Sequence, residues 1–124
     1  MCNHIDCDNS IAIRIKVRDS EFVMCSYNYE LHSGYRSELR QRQFQNKIIT
    51  TLMTPKFVYK DFNKKDRLCY YSVDRFSRST KKPIYIKVVI KYNEVPKKLI
   101  TAYYIDKLHE KQLGAKPINP HPKL

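Results

Sequence analysis

The stretch that most constrains the fold consists of two apolar-rich runs, Ile84–Tyr92 and Leu99–Ile105. Both are rich in β-branched and aromatic residues, which favour strands. Between them, Asn93, Glu94 and Pro96 are typical turn residues. The sequence therefore predicts two neighbouring strands joined as a hairpin.

Each predicted strand has one apolar face and one face with polar side chains, because side chains alternate across a strand. In the first strand, one face carries Ile84, Ile86, Val88 and Ile90, and the other carries Tyr85, Lys87, Val89 and Lys91. In the second strand, Ile100, Ala102 and Tyr104 lie opposite Leu99, Thr101 and Tyr103. This pattern is typical of an antiparallel sheet with one face on a core and one in water. We expect Lys87, Thr101 and Tyr103 to share the solvent-exposed face.

The N-terminal half predicts a strand followed by helices. Ile11–Val17 alternates strictly and reads as a half-buried strand. Residues 21–31 fit either a strand or a short helix, and the helix is favoured. His32 and the two residues after it are expected in a loop. From Ser37 to Met53 apolar residues recur at helical spacing, with Ser37 as the N-cap and Thr54–Pro55 as the end.

The C-terminal half predicts a meander. Two strands, Phe57–Lys60 and Leu68–Val73, precede a long basic hairpin loop over residues 74–83, and the opening hairpin follows. The expected fold is α+β: a curved antiparallel sheet, formed by a four-stranded C-terminal meander plus an N-terminal strand, packed by one or two N-terminal helices. We expect one domain over residues 11–108, a flexible tail over 1–10 and a Pro-rich tail over 109–124.

The charge balance points to a polyanionic partner. Lys and Arg number 24 against 12 acidic residues in a chain of 124, which gives a net charge of +12. Such an excess favours nucleic acid, and the ten Tyr and five Phe could stack on bases. The sequence has no long apolar run and no signal-peptide pattern, so we expect no membrane association and a cytoplasmic site of action.

Metal and phosphate-loop chemistry have little support in the sequence. Cys2, His4 and Cys7 stand at ligand-like spacing, and Cys25 is a possible fourth ligand, but incidental thiols explain the pattern better. A disulfide framework is not expected without a secretory signal. Only two glycines occur, which excludes a Gly-rich phosphate loop. We therefore expect no metal and no cofactor.

Metal-free cleavage of RNA is the chemistry that remains. RNA supplies its own nucleophile, the 2′-hydroxyl, so an enzyme needs an acid–base group, a hydroxyl and one or two cations. The candidates are His32, Lys87, Thr101 and Tyr103, with Arg75, Arg78 and Arg36 as phosphate-binding residues. Each also has an ordinary structural interpretation: a surface histidine, a solvated lysine, a strand threonine or a packed tyrosine.

An ordered series of motifs resembles small nucleases of the barnase–EndoU–colicin–RelE superfamily, in the branch of phage proteins and toxin C-terminal domains. The series is L-x-TP-x-F-V-Y, LCYY, YIKVVI and LITAYYID, and it spans about residues 20–108. The resemblance implies a helix-packed antiparallel sheet and a metal-independent ribonuclease that cleaves tRNA or other cellular RNA. It implies His32 as general acid or base, Thr101 and Tyr103 as phosphate-contacting or catalytic hydroxyls, and Lys87 as a phosphate ligand.

Three functional hypotheses are consistent with these features. The first is a toxin-like ribonuclease whose partners are RNA, with tRNA one possibility, and an acidic immunity protein or antitoxin. The second is a non-catalytic nucleic-acid-binding protein on the same scaffold. The third is a protein-interaction module whose basic face docks an acidic partner. An RNA-cleavage assay in EDTA separates the first from the other two.

Overall fold

Two helices and six strands form the part of the chain that the computed structural model describes, residues 11–33, 37–61 and 64–106. The helices are α1 (Ser26–Ser33) and α2 (Arg42–Met53), and a 3-10 turn, Ser37–Arg40, precedes α2. The strands are β1 (Ile11–Val17), β2 (Ser20–Cys25), β3 (Phe57–Lys60), β4 (Arg67–Phe76), β5 (Pro83–Lys91) and β6 (Lys97–Ile105). The predicted α+β class is confirmed.

The strands form one mixed sheet in the order β1-β2-β6-β5-β4-β3. The predicted meander of β3 to β6 is confirmed, since each consecutive pair is antiparallel. The expectation of a wholly antiparallel sheet is wrong, because β2 joins β6 in parallel, with Phe22 beside Lys97. This long-range pairing connects the N-terminal hairpin β1–β2 to the meander.

Both helices cover the same side of the sheet, which we call the helix face. Its buried core takes Phe44, Ile48 and Leu52 from α2, and Tyr29 of α1 packs against it. Apart from a bulge in β6, the sheet contributes alternate residues of its strands, as the period of two requires. These strand residues are Ile13, Ile15, Val17, Phe22, Met24, Val58, Leu68, Tyr70, Ile86, Val88, Ile90, Leu99 and Ala102.

The opposite side of the sheet, which we call the second face, carries a smaller aromatic cluster. Tyr59, Cys69, Tyr71 and Val89 are buried there. The rings pack on one another: Tyr59 meets Tyr71 edge-on with centroids 5.9 Å apart, and Phe57 lies 6.4 Å from Tyr85. Within the described chain this face is therefore a half-buried aromatic surface and not an open polar one.

The helix expected over residues 21–31 is wrong in its first half. Ser20–Cys25 is strand β2, which pairs with β1 across a tight turn at Arg18 and Asp19. Arg18 takes a positive φ of 54° in that turn. The run from Phe22 to Cys25 is buried throughout, so it lacks the alternation that marks a half-exposed strand. Helix α1 begins only at Ser26, and it includes His32, which was expected in a loop.

The helix expected from Ser37 to Met53 is divided. Ser37–Arg40 forms the 3-10 turn, and α2 starts after Gln41, whose side chain makes no capping hydrogen bond. The Ser37 N-cap is therefore wrong, whereas the predicted end at Thr54 is confirmed.

Two local details of the meander also differ from expectation. A bulge pairs Val89 with Thr101 but Ile90 with Leu99, so Leu99 joins the helix face and Ile100 the second face. The basic loop predicted over residues 74–83 is shorter than expected, because β4 continues to Phe76 and the turn comprises residues 77–82.

Cys25 is disulfide-bonded, against the expectation for this chain. A disulfide sulfur is not a thiolate, so Cys25 does not serve as a fourth metal ligand. Cys2, His4 and Cys7 lie outside the described residues, as do both predicted tails. Cys69 remains a thiol, 3.7 Å from Asp61 Oδ1. Neither helix of the described chain has the length and apolarity needed to cross a membrane.

Candidate nucleic-acid interface

Lys87 lies at the centre of the second face, between two tyrosines on neighbouring strands. The register pairs it with Tyr71 on β4 and with Tyr103 on β6. Its Nζ is 5.8 Å from the Tyr71 ring centroid and 5.6 Å from the Tyr103 centroid. Such cation–π contacts contribute about 0.5–1 kcal/mol each at exposed sites, so the two rings together hold the ammonium group over the sheet.

No carboxylate neutralises Lys87, since none of the ion pairs within the described residues includes it. Among the described residues its charge is offset only by the two tyrosine rings, and the side chain is half-buried. A partly desolvated cation without a counterion attracts anions more strongly than a fully solvated one. The position is suited to a phosphate group.

Thr101 adds a hydroxyl group to the same face. It lies two residues before Tyr103 on β6, at a separation of about 7 Å, and it pairs with Val89. The residue is 8% exposed, and its Oγ1 is buried without a hydrogen-bond partner in the described part of the chain. An unpaired buried hydroxyl costs about 1–3 kcal/mol, which a ligand oxygen would recover once a local side-chain movement exposes Oγ1. We call Lys87, Tyr71, Tyr103 and Thr101 the Lys87 site.

Arg75 does not belong to the Lys87 site, because it lies on the helix face. A bulge in β4 makes Asp74 the extra residue between Val73 and Arg75, and the Arg75 guanidinium packs 5.1 Å from the Tyr104 ring centroid. Tyr104 packs against the helix-face core and meets Phe44 edge-on. The sheet therefore separates Arg75 from Lys87.

Asp74 joins Arg75 to helix α2. Its Oδ1 accepts from Lys47 Nζ at 2.8 Å, and its Oδ2 pairs with Arg75. Lys47 also donates to the Tyr104 hydroxyl at 3.1 Å. The Asp74 side chain is 8% exposed, against 42% for Lys47 and 56% for Arg75. We call Lys47, Asp74, Arg75 and Tyr104 the Asp74 cluster.

The cluster shifts the titration of both partners. Burial of Asp74 raises its pKa, but hydrogen bonds and charges from Lys47 and Arg75 outweigh that effect, so the net pKa lies below its usual 3.8. The hydrogen bond to Asp74, with a second to Tyr104, raises the pKa of Lys47 above 10.5. Both groups are therefore charged at neutral pH, and the pair fastens α2 to β4.

Sequence reasoning missed the Asp74 cluster. Lys47 and Tyr104 are 57 positions apart, so nothing local connects them. The one available signal was Asp74 itself, an acid at the edge of an otherwise basic run. Tyr71 was also missed as a neighbour of Lys87, because the register between β4 and β5 decides that contact.

The remaining predicted residues lie away from the Lys87 site or outside the described chain. His32 is in α1, which packs on the helix face through Tyr29. Arg78 is exposed in the turn between β4 and β5. Arg36 is outside the described residues. Of the predicted set, the structure brings together Lys87, Thr101 and Tyr103.

Metal-ligating side chains do not cluster in the described ranges. No group of three His, Cys, Asp or Glu side chains comes together there as a metal ion would require.

Comparison with known proteins gave no match among family models, curated proteins or solved structures. The function is therefore inferred from the geometry of the Lys87 site and from the motif series of the sequence.

Proposed function

We propose that this protein is a metal-independent ribonuclease that binds the scissile phosphate of RNA at the Lys87 site. The observation that carries the proposal is the juxtaposition on one sheet face of a tyrosine with an ammonium and a buried hydroxyl that have no partner among the described residues. The motif resemblance implies these three residues together with His32, and the net charge of +12 favours a polyanion.

The chemistry assigned to the site is internal transesterification of RNA. The 2′-oxygen forms a bond to phosphorus and gives its proton to water, and the bond from phosphorus to the 5′-oxygen breaks as that oxygen takes a proton from Tyr103, which water then replaces. The products are a 2′,3′-cyclic phosphate and a 5′-hydroxyl. Lys87 stabilises the anionic phosphorane, Thr101 donates to a non-bridging oxygen, and Tyr103 donates a proton to the leaving oxygen.

The alternative function is RNA binding without cleavage, and one observation favours it. The predicted acid–base residue, His32, is on a helix that packs across the sheet from Lys87. Within the described residues the second face therefore holds a cation and hydroxyls but no histidine. On this alternative the Lys87 site is a phosphate-binding position only.

The test is incubation of total RNA with purified protein in EDTA, followed by electrophoresis. We expect cleavage by the natural protein and a loss of at least tenfold in Lys87→Ala and Thr101→Val. Thr101→Val is informative because it keeps the shape, removes the unpaired hydroxyl and should not destabilise the fold. Lys16→Ala, which removes an equal charge from an exposed position on β1, is the matched control and should cleave normally.

Intact RNA with the natural protein, together with salt-sensitive binding that Lys87→Ala weakens, would establish the binding alternative. Equal cleavage by all variants would place the active site elsewhere. Absence of both cleavage and binding would refute both functions.

Partner and place of action belong to the same proposal. A ribonuclease that attacks cellular RNA acts in the cytoplasm, where its target is, and it needs an inhibitor in any cell that makes it. An acidic immunity protein or antitoxin would be attracted by the basic surface.

A further inference from the structure

The turn between β4 and β5, residues 77–82, is a hydrogen-bonded basic element with an aromatic residue at its base. Ser77 N–H donates to Lys82 O at 2.8 Å, and Lys81 N–H donates to Ser77 O at 2.9 Å. Lys81 adopts a positive φ of 61° within the turn. These bonds fix the backbone that carries Arg78, Lys81 and Lys82, so little ordering is needed when they bind a partner.

The cations of this turn are exposed, and no acidic side chain of the described ranges neutralises them. Arg78, Lys81 and Lys82 face solvent, and no carboxylate of the described chain pairs with them. Arg75 differs from these three cations, because it forms an ion pair with Asp74. The turn therefore concentrates positive charge at one end of the sheet.

Phe76 is the aromatic residue at the base of the turn, and it is 64% exposed. It pairs with Pro83, and along β5 the positions Pro83, Tyr85 and Lys87 alternate onto the second face. Phe76 therefore lies on the same face as the Lys87 site, about 13 Å away along the strand. Half-buried Tyr85 lies between them.

We infer that single-stranded RNA lies along β4 and β5 from the Lys87 site to this turn, with an unpaired base stacked on Phe76. The cations of the turn contact the backbone phosphates. Aromatic side chains interleaved with cations are the usual means of binding single strands, because every base has a face that can stack. A duplex would not serve, since its bases are already stacked within it. This inference rests on the proposed function and specifies its substrate class as single-stranded RNA.

The experiment measures binding by fluorescence anisotropy with 2′-O-methyl RNA, which lacks the 2′-hydroxyl nucleophile and stays intact. We expect the natural protein to bind the single strand more tightly than the same sequence annealed as a duplex. Phe76→Ala should weaken single-strand binding by about tenfold or more. Val95→Ala is the matched control, because Val95 is 95% exposed in the turn between β5 and β6, and it should bind normally.

Replacement of Arg78, Lys81 and Lys82 by Ala should make binding less sensitive to salt. The slope of the logarithm of the binding constant against the logarithm of salt concentration should decrease by about 0.7 for each phosphate that these cations neutralise. Tight RNA binding that Phe76→Ala leaves unchanged, or a preference for the duplex, would overturn this inference and leave the ribonuclease proposal standing. Absence of RNA binding by the natural protein would overturn both. Loss of binding to phosphatidylserine vesicles in Phe76→Ala, with RNA binding unchanged, would assign the turn to a lipid surface instead.

Discussion

At the scale of single residues, Tyr70 shows what an unpaired polar atom costs the core. The residue is 1% exposed, its hydroxyl has no hydrogen-bond partner within the described chain, and burial raises the pKa of Tyr70 to about 12. Because removal of the hydroxyl removes its desolvation cost, we expect Tyr70→Phe to raise the free energy of unfolding by about 1 kcal/mol. Urea denaturation measures the change.

The control for this prediction is Tyr92→Phe, which removes a surface hydroxyl that donates to Lys65 O at 3.4 Å. Its effect should stay within about 0.5 kcal/mol. A lower free energy of unfolding for Tyr70→Phe than for the natural protein would contradict this prediction and would mean that the Tyr70 hydroxyl makes a hydrogen bond in solution.

Asp74 gives a residue-scale prediction that depends on pH. Its folded pKa is below 3.8, so its stabilising effect is present above that value and is lost as pH falls through the folded pKa. Asp74→Asn should cost about 1–2 kcal/mol at neutral pH, since two charge-assisted hydrogen bonds are weakened but both cations are partly solvated.

Urea denaturation of both proteins across the acid range checks this, and the difference should vanish at the acid end. Asp66→Asn is the control, because the pair of Asp66 with Lys91 is long, at 3.7 Å, and neither side chain is buried, so it should contribute little. A difference between the natural protein and Asp74→Asn that persists in acid would contradict the role of the charge.

At the scale of elements, helix α2 holds the helix face together. Phe44 is 1% exposed, lies in the core and meets Tyr104 edge-on with centroids 5.1 Å apart. Phe44→Ala should cost about 3–5 kcal/mol and should unfold a large fraction of the protein. Circular dichroism on heating measures the loss. Met53→Ala, at the 44% exposed end of the same helix, should melt almost normally.

The elements also show how far sequence alone reaches. Strand β1 was predictable because alternation is a local pattern, and Ile11–Val17 matched residue by residue. The meander strands were predictable because β-branched and aromatic residues favour strands. Strand β2 was not predicted, because its buried run continues into residues that also fit a helical spacing, so the pattern does not show where the strand ends. Its parallel pairing with β6 joins residues far apart in the chain, which no local pattern encodes.

In the candidate site, too, local sequence patterns predict some features, and the tertiary structure decides the others. Alternation predicted which face of its own strand Lys87 and Tyr103 each occupy, and the register, which the sequence does not fix, makes them neighbours. The bulge that moved Leu99 to the helix face has no sequence signal comparable to a glycine or proline. The placement of Arg75 depends on the side chains of Lys47 and Tyr104, so only the tertiary structure reveals it.

At the scale of the whole molecule, the charge of +12 should control RNA affinity. Bound phosphates release counterions, so the logarithm of the binding constant should fall linearly with the logarithm of salt concentration, by about 0.7 per contacted phosphate on a single strand. Anisotropy titrations over a salt series measure this slope. Lys87→Ala should make the slope shallower by about 0.7, the contribution of one phosphate. Affinity that is independent of salt would contradict electrostatic recognition.

The proposed function depends on cleavage of RNA by its own 2′-hydroxyl without a metal ion. The decisive experiment compares, in EDTA, a single-stranded oligoribonucleotide with the same oligonucleotide carrying one 2′-deoxy substitution at the cleaved position, with product ends identified by mass spectrometry. We expect a 2′,3′-cyclic phosphate from the first and no cleavage at the substituted position of the second. Equal cleavage of both, or a linear phosphate as the primary product, would contradict this mechanism.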